Sequence, residues 1–320
     1  MAAAQRVQRG SAATLSAVFY GDGEVPLVPG VVTVAITSDW AQFATLTPVV
    51  TVDATNVCTC TLPASATAGL DLLTVVWTSP TLGTVTTYVE VVGGFYFELA
   101  ELRAMPELSG PAGAGYTTDQ LRAARLWIEN TIDRATDTCF VARYARVVLN
   151  STGNNQSGPL STGRDGAFVE SVGTTAASFT AYRPLTLPDM YVRRINAISV
   201  GGVPLSAGDL AALAVYPGGR IVRTNGGVWG WGYANVNVRY EVGHDDVCPG
   251  DLRSAALTAA RWHVLSTAGQ SSTNPRATNT VTEFGTSTWA AIDPDHPTGL
   301  PEVDAVIGAY VESLRPPMVA

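Results

Sequence analysis

The first 93 residues alternate apolar and polar side chains with the period of two that is typical of β-strands. Short turn sequences rich in Gly and Pro separate the alternating segments. Short strands at near-regular spacing predict a β-sandwich of about 90 residues, which is Ig-like in architecture only, since the Cys–Trp–Cys pattern of antibody domains is absent. The predicted strands are 14–19, 31–36, 56–62, 72–77 and 84–92.

Gly93 and Gly94 end this pattern and mark the predicted domain boundary. Beyond them, apolar residues recur at the spacing of amphipathic helices. Thr117 is expected to cap one helix, with Gln120 reaching back to complete a capping box, and Pro316 is expected to end the last one. Helices are predicted at about 96–104, 117–137, 251–268 and 302–315.

The helix predicted at 117–137 has an apolar face, and its charged residues are expected towards the other side. The Arg125–Glu129 pair has i,i+4 spacing, which contributes only a few tenths of a kcal/mol. The apolar residues are Leu121, Ala124, Ile128, Ile132 and Ala135, and the charged residues are Arg122, Arg125, Glu129 and Asp133.

Strand-like alternation returns between the second and third helices, which predicts a β region at about 141–241. The segment 266–300 is polar and contains several Gly and Pro. A structureless stretch of that length is unusual in a compact domain, so we expect it to reach over a neighbour or to become ordered on assembly. The predicted fold is therefore multidomain α+β, with a β-sandwich at 1–93 and a helical domain with an inserted β region at 94–320.

The composition is acidic and low in charge. Charged residues make up 14% of the 320 residues, well below the roughly 25% of an average soluble protein, and this suits a protein that buries surface against neighbours. The net charge of −8 argues against a phosphate-binding surface, which needs clustered cations. The N-terminus has no apolar signal core and no apolar run reaches the ~18 residues of a membrane span, so we expect neither secretion nor membrane insertion.

Candidate catalytic and metal-binding groups are few. His244, followed by Asp245 and Asp246, offers imidazole and carboxylate ligands, but it occupies a predicted polar turn. The chain has no GxSxG elbow, no HExxH motif and no Lys to complete a phosphate loop. There is no CxxC pair, and Cys58 and Cys60 face the same way on one predicted strand, which is poor disulfide geometry. We therefore expect a reduced, non-enzymatic protein without metal or cofactor.

A series of short motifs follows in a fixed order between residues 95 and 265. They include a helix opening, an Arg- and Val-rich strand, a Val-x-Val-x-Tyr-x-x-Gly strand and a Pro-x-Asp-Leu-x-x-Ala-Ala helix start. The motifs lie at 116–121, 144–149, 187–190, 195–202, 217–221, 236–243 and 249–256. In this order they resemble the head-to-tail adaptor family of long-tailed bacteriophages, also called head-completion or connector proteins.

This resemblance implies a structural virion protein of the phage neck, assembled in the host bacterial cytoplasm. Its subunits would form a ring of twelve copies beneath the portal, joining the DNA-filled capsid to the tail and forming part of the DNA channel. The implied partners are the portal protein, a downstream neck or tail protein (a stopper or a tail terminator), other copies of the chain, and double-stranded DNA that passes through without specific binding. Minimal members of the family lack the N-terminal sandwich, whose role stays open between decoration and contact with the capsid or tail.

The resemblance also places candidate contact residues. The helices near 117–137 and 251–268 are expected to form the ring wall, and the polar loop around 150–164 is expected to reach the lumen or the next ring. The loop residues are Asn154, Asn155, Gln156 and Arg164. The expected portal-docking residues are Val303, Ile307, Tyr310, Val311, Leu314, Arg315, Pro316, Pro317 and Met318.

Two alternatives remain open from the sequence. Trp229 and Trp231 lie in a Gly-rich stretch that predicts a hairpin tip, where the indoles either contact a partner or form a local minicore. As a stacking platform they would instead suit a glycan-binding module, provided that polar groups line a concave site beside them. The other alternative is a different neck or tail component, such as a tail terminator or a tail-associated β-protein.

Overall fold

The computed structural model describes residues 5–21, 25–40, 42–109, 115–151, 184–225, 229, 232–267, 279–282, 285–288 and 296–314. Within these ranges the chain forms several β-sheets and five α-helices, so the fold belongs to the mixed α+β class predicted from the sequence. The helices are α1 Leu99–Arg103, α2 Thr118–Thr136, α3 Ala207–Ala211, α4 Gly250–Thr267 and α5 Pro301–Leu314. None of the described helices has the length and apolar character needed to cross a membrane.

The chain folds into two compact units, each built from two separate stretches of sequence. The first unit combines Met1–Gly93 with Ala142–His244, and the second combines Gly94–Val141 with Asp245–Ala320. The expected division into 1–93 and 94–320 places residues 142–244 with the helices, whereas in the structure they pack with the first 93 residues.

The N-terminal part of the first unit consists of two sheets around one core. One sheet has the order β1-β7-β6-β3, with β1 parallel to β7, and the other has the order β2-β5-β4. The strands are β1 Gln5–Gln8, β2 Ala13–Val18, β3 Thr33–Ser38, β4 Val50–Val52, β5 Val57–Leu62, β6 Asp71–Ser79 and β7 Gly83–Val92. Alternate residues of β6 are buried around the fully enclosed Trp77, as the period-two pattern requires.

The remainder of the first unit is a second β region. Its larger sheet has the order β11-β10-β14-β8 and its smaller sheet the order β12-β13-β9. The strands are β8 Arg143–Ser151, β9 Leu185–Thr186, β10 Val192–Val200, β11 Val203–Pro204, β12 Leu213–Tyr216, β13 Arg220–Arg223 and β14 Gly232–Val242. The pairing of β10 with β14 shifts register between Ile195 and Ala197, which marks a β-bulge at Asn196.

Ion pairs and hydrogen bonds link this second β region to the N-terminal sheets. Residues 1–93 carry six acidic residues and two Arg, whereas 142–244 carry five acidic residues and nine Arg, so the two stretches have opposite net charge. Asp39 accepts hydrogen bonds from the Tyr144 hydroxyl at 2.6 Å and from Arg146 at 2.9 Å. Glu90 pairs with Arg6 at 2.9 Å and lies 3.5 Å from Arg143. Charge complementarity therefore joins distant stretches of chain within one unit.

The second unit is a helical core formed by α1, α2, α4 and α5. Thr117 and Gln120 form the predicted capping box, and α2 ends where Asp137 adopts a left-handed conformation with φ 52°. Small residues of α4, including the fully buried Ala256 and Ala259, allow close approach of the neighbouring helices. Within the predicted extended segment, β15 Asn279–Thr282 pairs antiparallel with β16 Gly285–Thr288, and the rest of 268–295 lies outside the described residues.

Candidate functional site

The apolar face of α5, which was expected to dock on a portal, packs into the core of the second unit. Val303 and Ile307 are each only 1% exposed and lie in the cluster formed by α1, α2 and α4. Neither side chain is therefore available to a partner in this arrangement. Tyr310, Val311 and Leu314 are partly buried against the same cluster and keep some exposed surface.

Polar contacts fix both ends of α5. At its start, Asp304 accepts hydrogen bonds from the backbone N–H and hydroxyl of Thr298 at 3.0 and 2.7 Å. Near its end, the Tyr310 hydroxyl donates to Asp251 at 2.7 Å, and the Tyr310 ring meets Phe140 edge-on with centroids 5.1 Å apart. Burial and the bond to Asp251 raise the pKa of Tyr310 to about 12, while the same bond lowers the pKa of Asp251.

The outer face of α5 is small and polar. Its exposed residues include Ala305, Ala309, Glu312 and Ser313. This is the surface of the helix that a partner reaches without disturbing the core. The other expected docking residues, Arg315, Pro316, Pro317 and Met318, lie outside the described residues.

Trp229 is buried, with 8% of its surface exposed. The Arg223 guanidinium lies over its ring at 5.8 Å from the centroid, and Arg223 also pairs with Asp209 at 2.7 Å. Of the two interpretations of this tip, the burial favours a local minicore. Trp231 lies outside the described residues, as do the four loop residues Asn154, Asn155, Gln156 and Arg164.

A buried polar stripe on α2 was missed by the sequence analysis. Arg125 and Glu129, expected on the side away from the apolar face, are only 7% and 1% exposed. Glu129 accepts a hydrogen bond from the backbone N–H of Tyr96 at 3.1 Å, and the Arg125 guanidinium lies 3.4 Å from the centre of the Phe95 ring. The Tyr96 hydroxyl also donates to Asp133. The sequence signal for this stripe was the aromatic run at 95–97, directly after Gly94. These aromatic side chains need a helix face to cover them.

A groove of about 480 Å³ opens in the first unit between its two β regions. From the N-terminal region it is lined by the side chains of Arg9, Trp40 and Gln42, together with Ala68 and Gly69. From the second β region it is lined by Arg194 and Glu241, which are cross-strand partners on β10 and β14. Sequence periodicity gave no signal for this groove, because its two walls come from stretches more than a hundred residues apart.

Groups with metal-binding or nucleophilic chemistry are dispersed. Over the described ranges, no three His, Cys, Asp or Glu side chains cluster closely enough to hold a metal ion. His244 packs on the ring of Tyr191 with centroids 3.8 Å apart, and desolvation lowers its pKa. The cysteines are buried and form no disulfide. Burial raises the pKa of Cys60 to about 11 and, with nearby carboxylates, that of Cys248 to about 12.

Comparison of the chain with protein-family models and with curated proteins finds no match. The two units differ sharply in charge. The first unit contains eleven acidic residues and eleven Arg, and the second contains sixteen acidic residues and eight Arg, so the second unit carries the entire net charge of −8.

Proposed function

We propose that the protein is a head-to-tail adaptor of a long-tailed bacteriophage, a structural virion protein that forms a ring beneath the portal and performs no catalysis. In this proposal the N-terminal part of the first unit is an Ig-like sandwich added to the adaptor. The observation that carries the proposal is the discontinuous helical unit. Helices from 94–141 and 245–314 share one core, and residues 142–244 are inserted between them in the sequence. This arrangement corresponds to the expected helical adaptor domain with an inserted β region.

The surfaces of the long helices suit permanent contacts between copies. On α2 the exposed residues include Arg122, Ala123, Asn130 and Arg134, which combine a small side chain with hydrogen-bonding groups. Arg is favoured at such contacts because its planar guanidinium forms bidentate hydrogen bonds. In the proposal, α2 and α4 form the ring wall, and each copy contacts the next through these side chains.

The charge distribution supports a DNA channel lined by the second unit. With −8 carried by that unit, a ring of about twelve copies would place on the order of −100 formal charges around the channel. Such a field repels phosphate within a Debye length of roughly 8–10 Å. DNA would then pass without binding, which is what a conduit between capsid and tail requires.

The proposed docking surface on the portal is the outer face of α5 together with residues 315–318. The burial of Val303 and Ile307 removes them from this surface, so their role is to hold the helix in place. The opposite side of the ring would meet the downstream stopper or tail terminator. The proposed location is the neck of the virion.

The decisive experiment is electron microscopy of the full-length protein, alone and mixed with the portal protein from the same genome. A ring in either sample supports the proposal and gives the number of copies. A persistent monomer that does not bind the portal overturns it in favour of another neck or tail component. A second arm uses Ala309→Arg on the exposed face of α5, with Thr84→Arg, exposed on β7, as the matched control. We expect only the α5 variant to lose portal binding, with both variants folded.

A further inference from the structure

The groove of the first unit combines an aromatic side chain with hydrogen-bonding groups of both kinds. Its volume of about 480 Å³ falls within the roughly 300–1,000 Å³ of small-molecule sites. Trp40 supplies an indole, Gln42 a carboxamide, Arg194 a guanidinium and Glu241 a carboxylate. Each of these groups has hydrogen-bonding capacity that the described residues do not use up.

Glu241 is the most informative of these residues. It is only 8% exposed and lines the groove, yet its carboxylate has no ion pair or hydrogen bond with any described residue. Arg194 lies directly opposite it in the β10–β14 register, and the two side chains still form no salt bridge within the described chain. Its oxygens are not among the described buried atoms left without a partner, so the carboxylate can accept hydrogen bonds from a ligand in the groove.

The Gln42 amide is held in one orientation. Its Nε2 donates to the Leu70 carbonyl at 3.1 Å, which leaves Oε1 as an acceptor. Gly69 makes this position possible, because a Cβ there would lie 2.7 Å from Oε1. The Trp40 backbone N–H is bonded to Asp71 at 3.2 Å, which anchors the residue while the indole N–H has no partner among the described residues.

The mixture of charges selects the chemical class of the ligand. The negative charge of Glu241 would repel a phosphate or carboxylate ligand. The positive charges of Arg9 and Arg194 would repel a guanidinium or ammonium ligand. A neutral ligand rich in hydroxyl groups can bind both the carboxylate and the guanidinium groups, because each hydroxyl donates one hydrogen bond and accepts others. An indole offers a flat apolar surface for the faces of a sugar ring.

We propose that this groove binds a neutral pyranose unit of a saccharide. The Trp40 indole packs on the face of the sugar, Glu241 and the Gln42 Oε1 accept from its hydroxyl groups, and Arg194 donates to its oxygens. This site goes beyond the adaptor role and does not depend on it, since the groove is formed within one subunit by residues outside the helical unit.

Saturation-transfer NMR of the full-length protein tests the proposal. The probes are the methyl pyranosides of glucose, galactose, mannose and N-acetylglucosamine, each at about 10 mM to detect millimolar dissociation constants. We expect saturation transfer to at least one of them, with affinity reduced about tenfold or more by Trp40→Ala and by Glu241→Gln. The matched controls Trp262→Phe and Glu312→Gln lie in the second unit and should leave binding unchanged.

Arg194→Ala gives a variant that does not endanger the fold, because Arg194 is exposed and has no partner among the described side chains. Arg194→Ala should also weaken sugar binding, and it therefore tests the site even if Trp40→Ala fails to fold. Absence of transfer to all four glycosides overturns the proposal, as does equal affinity in the groove variants and the controls. Tight binding of inorganic phosphate or methylguanidinium instead of the sugars also overturns it. Glu241→Gln should leave ring formation unaffected. A failure of the sugar-binding proposal can therefore be distinguished from a failure of the adaptor proposal.

Discussion

The backbone N–H of Tyr96 donates to the Glu129 carboxylate at 3.1 Å, and the hydroxyl of the same Tyr donates to Asp133, one turn further along α2. One residue of the aromatic segment is thus held at both its main chain and its side chain by one helix. Leucine or isoleucine at position 129 would satisfy the helical apolar pattern but would leave the buried N–H of Tyr96 without an acceptor. The stripe therefore gives the aromatic segment a defined register on the helix, which apolar contacts alone do not give.

Replacing Glu129 with Ala should destabilise the protein by about 1–3 kcal/mol, because it leaves a buried donor unsatisfied. Glu129→Gln keeps an acceptor oxygen and should cost less. Urea unfolding at neutral pH measures both. Glu312→Ala, on the exposed face of α5, is the control and should change stability by less than about 0.5 kcal/mol. Equal losses for the Ala and Gln variants would show that the Tyr96 bond contributes nothing.

Removing the buried part of Ile307 should destabilise the second unit. Ile307→Ala leaves a cavity in the core shared with α2 and α4 and should cost about 2–5 kcal/mol. Ser313→Ala on the outer face of the same helix should stay within about 0.5 kcal/mol. Thermal and urea unfolding give both values. It follows that deleting residues 301–320 should impair folding as well as docking, and a soluble, fully stable truncation would contradict this assignment.

The stability of the first unit should depend on pH through Asp71. Burial is the main cause of its raised pKa, so the folded protein holds the proton more tightly than the unfolded chain does. The stabilisation from protonated Asp71 is therefore lost as pH rises through the raised pKa. Asp71→Asn keeps the Oδ1 that accepts from the N–H groups of Trp40 and Leu72. Urea unfolding from pH 4 to 7 should show the wild type losing stability relative to the variant, and a constant difference would refute the assignment.

The two β regions of the first unit should be coupled through Asp39 and Tyr144. Their hydrogen bond is 2.6 Å long, and bonds to charged groups contribute about 1.5–3 kcal/mol, less where water reaches them. A double-mutant cycle with Asp39→Ala and Tyr144→Phe should give a coupling of about 1 kcal/mol. A parallel cycle that pairs Asp39→Ala with Thr51→Ala, whose hydroxyl is hydrogen-bonded to Thr59 instead, should be additive. Additivity in both cycles would mean that this bond does not join the regions.

The cysteines should be unreactive in the folded protein. All four are buried and none forms a disulfide, and the pKa values of about 11 for Cys60 and about 12 for Cys248 leave little thiolate at pH 8. Labelling with a disulfide reagent at that pH should be more than about a hundredfold slower than for an exposed thiol. The same reagent should titrate four thiols after denaturation. Rapid labelling of the folded protein would show that one of these sites is open to solvent.

Local features of this protein could be predicted from its sequence because neighbouring residues produce them. The period-two segments became strands, the α2 capping box formed between Thr117 and Gln120, and the stripe from Leu121 to Ile132 is buried. Each of these depends on the spacing of side chains within a few turns of helix or one strand. The mixed α+β class follows from the same signals.

Only the tertiary structure decided which surfaces meet. The spacing of Arg125 and Glu129 is equally suited to an exposed ion pair, and the aromatic segment that buries them lies about thirty residues away. The apolar face of α5 likewise suits a partner protein or an internal core, and the fold turned it inward. The groove forms because the fold brings Trp40 and Glu241, which are about two hundred residues apart in sequence, to line the same site. Periodicity reports that a face will be covered, but long-range complementarity of shape and charge determines what covers it.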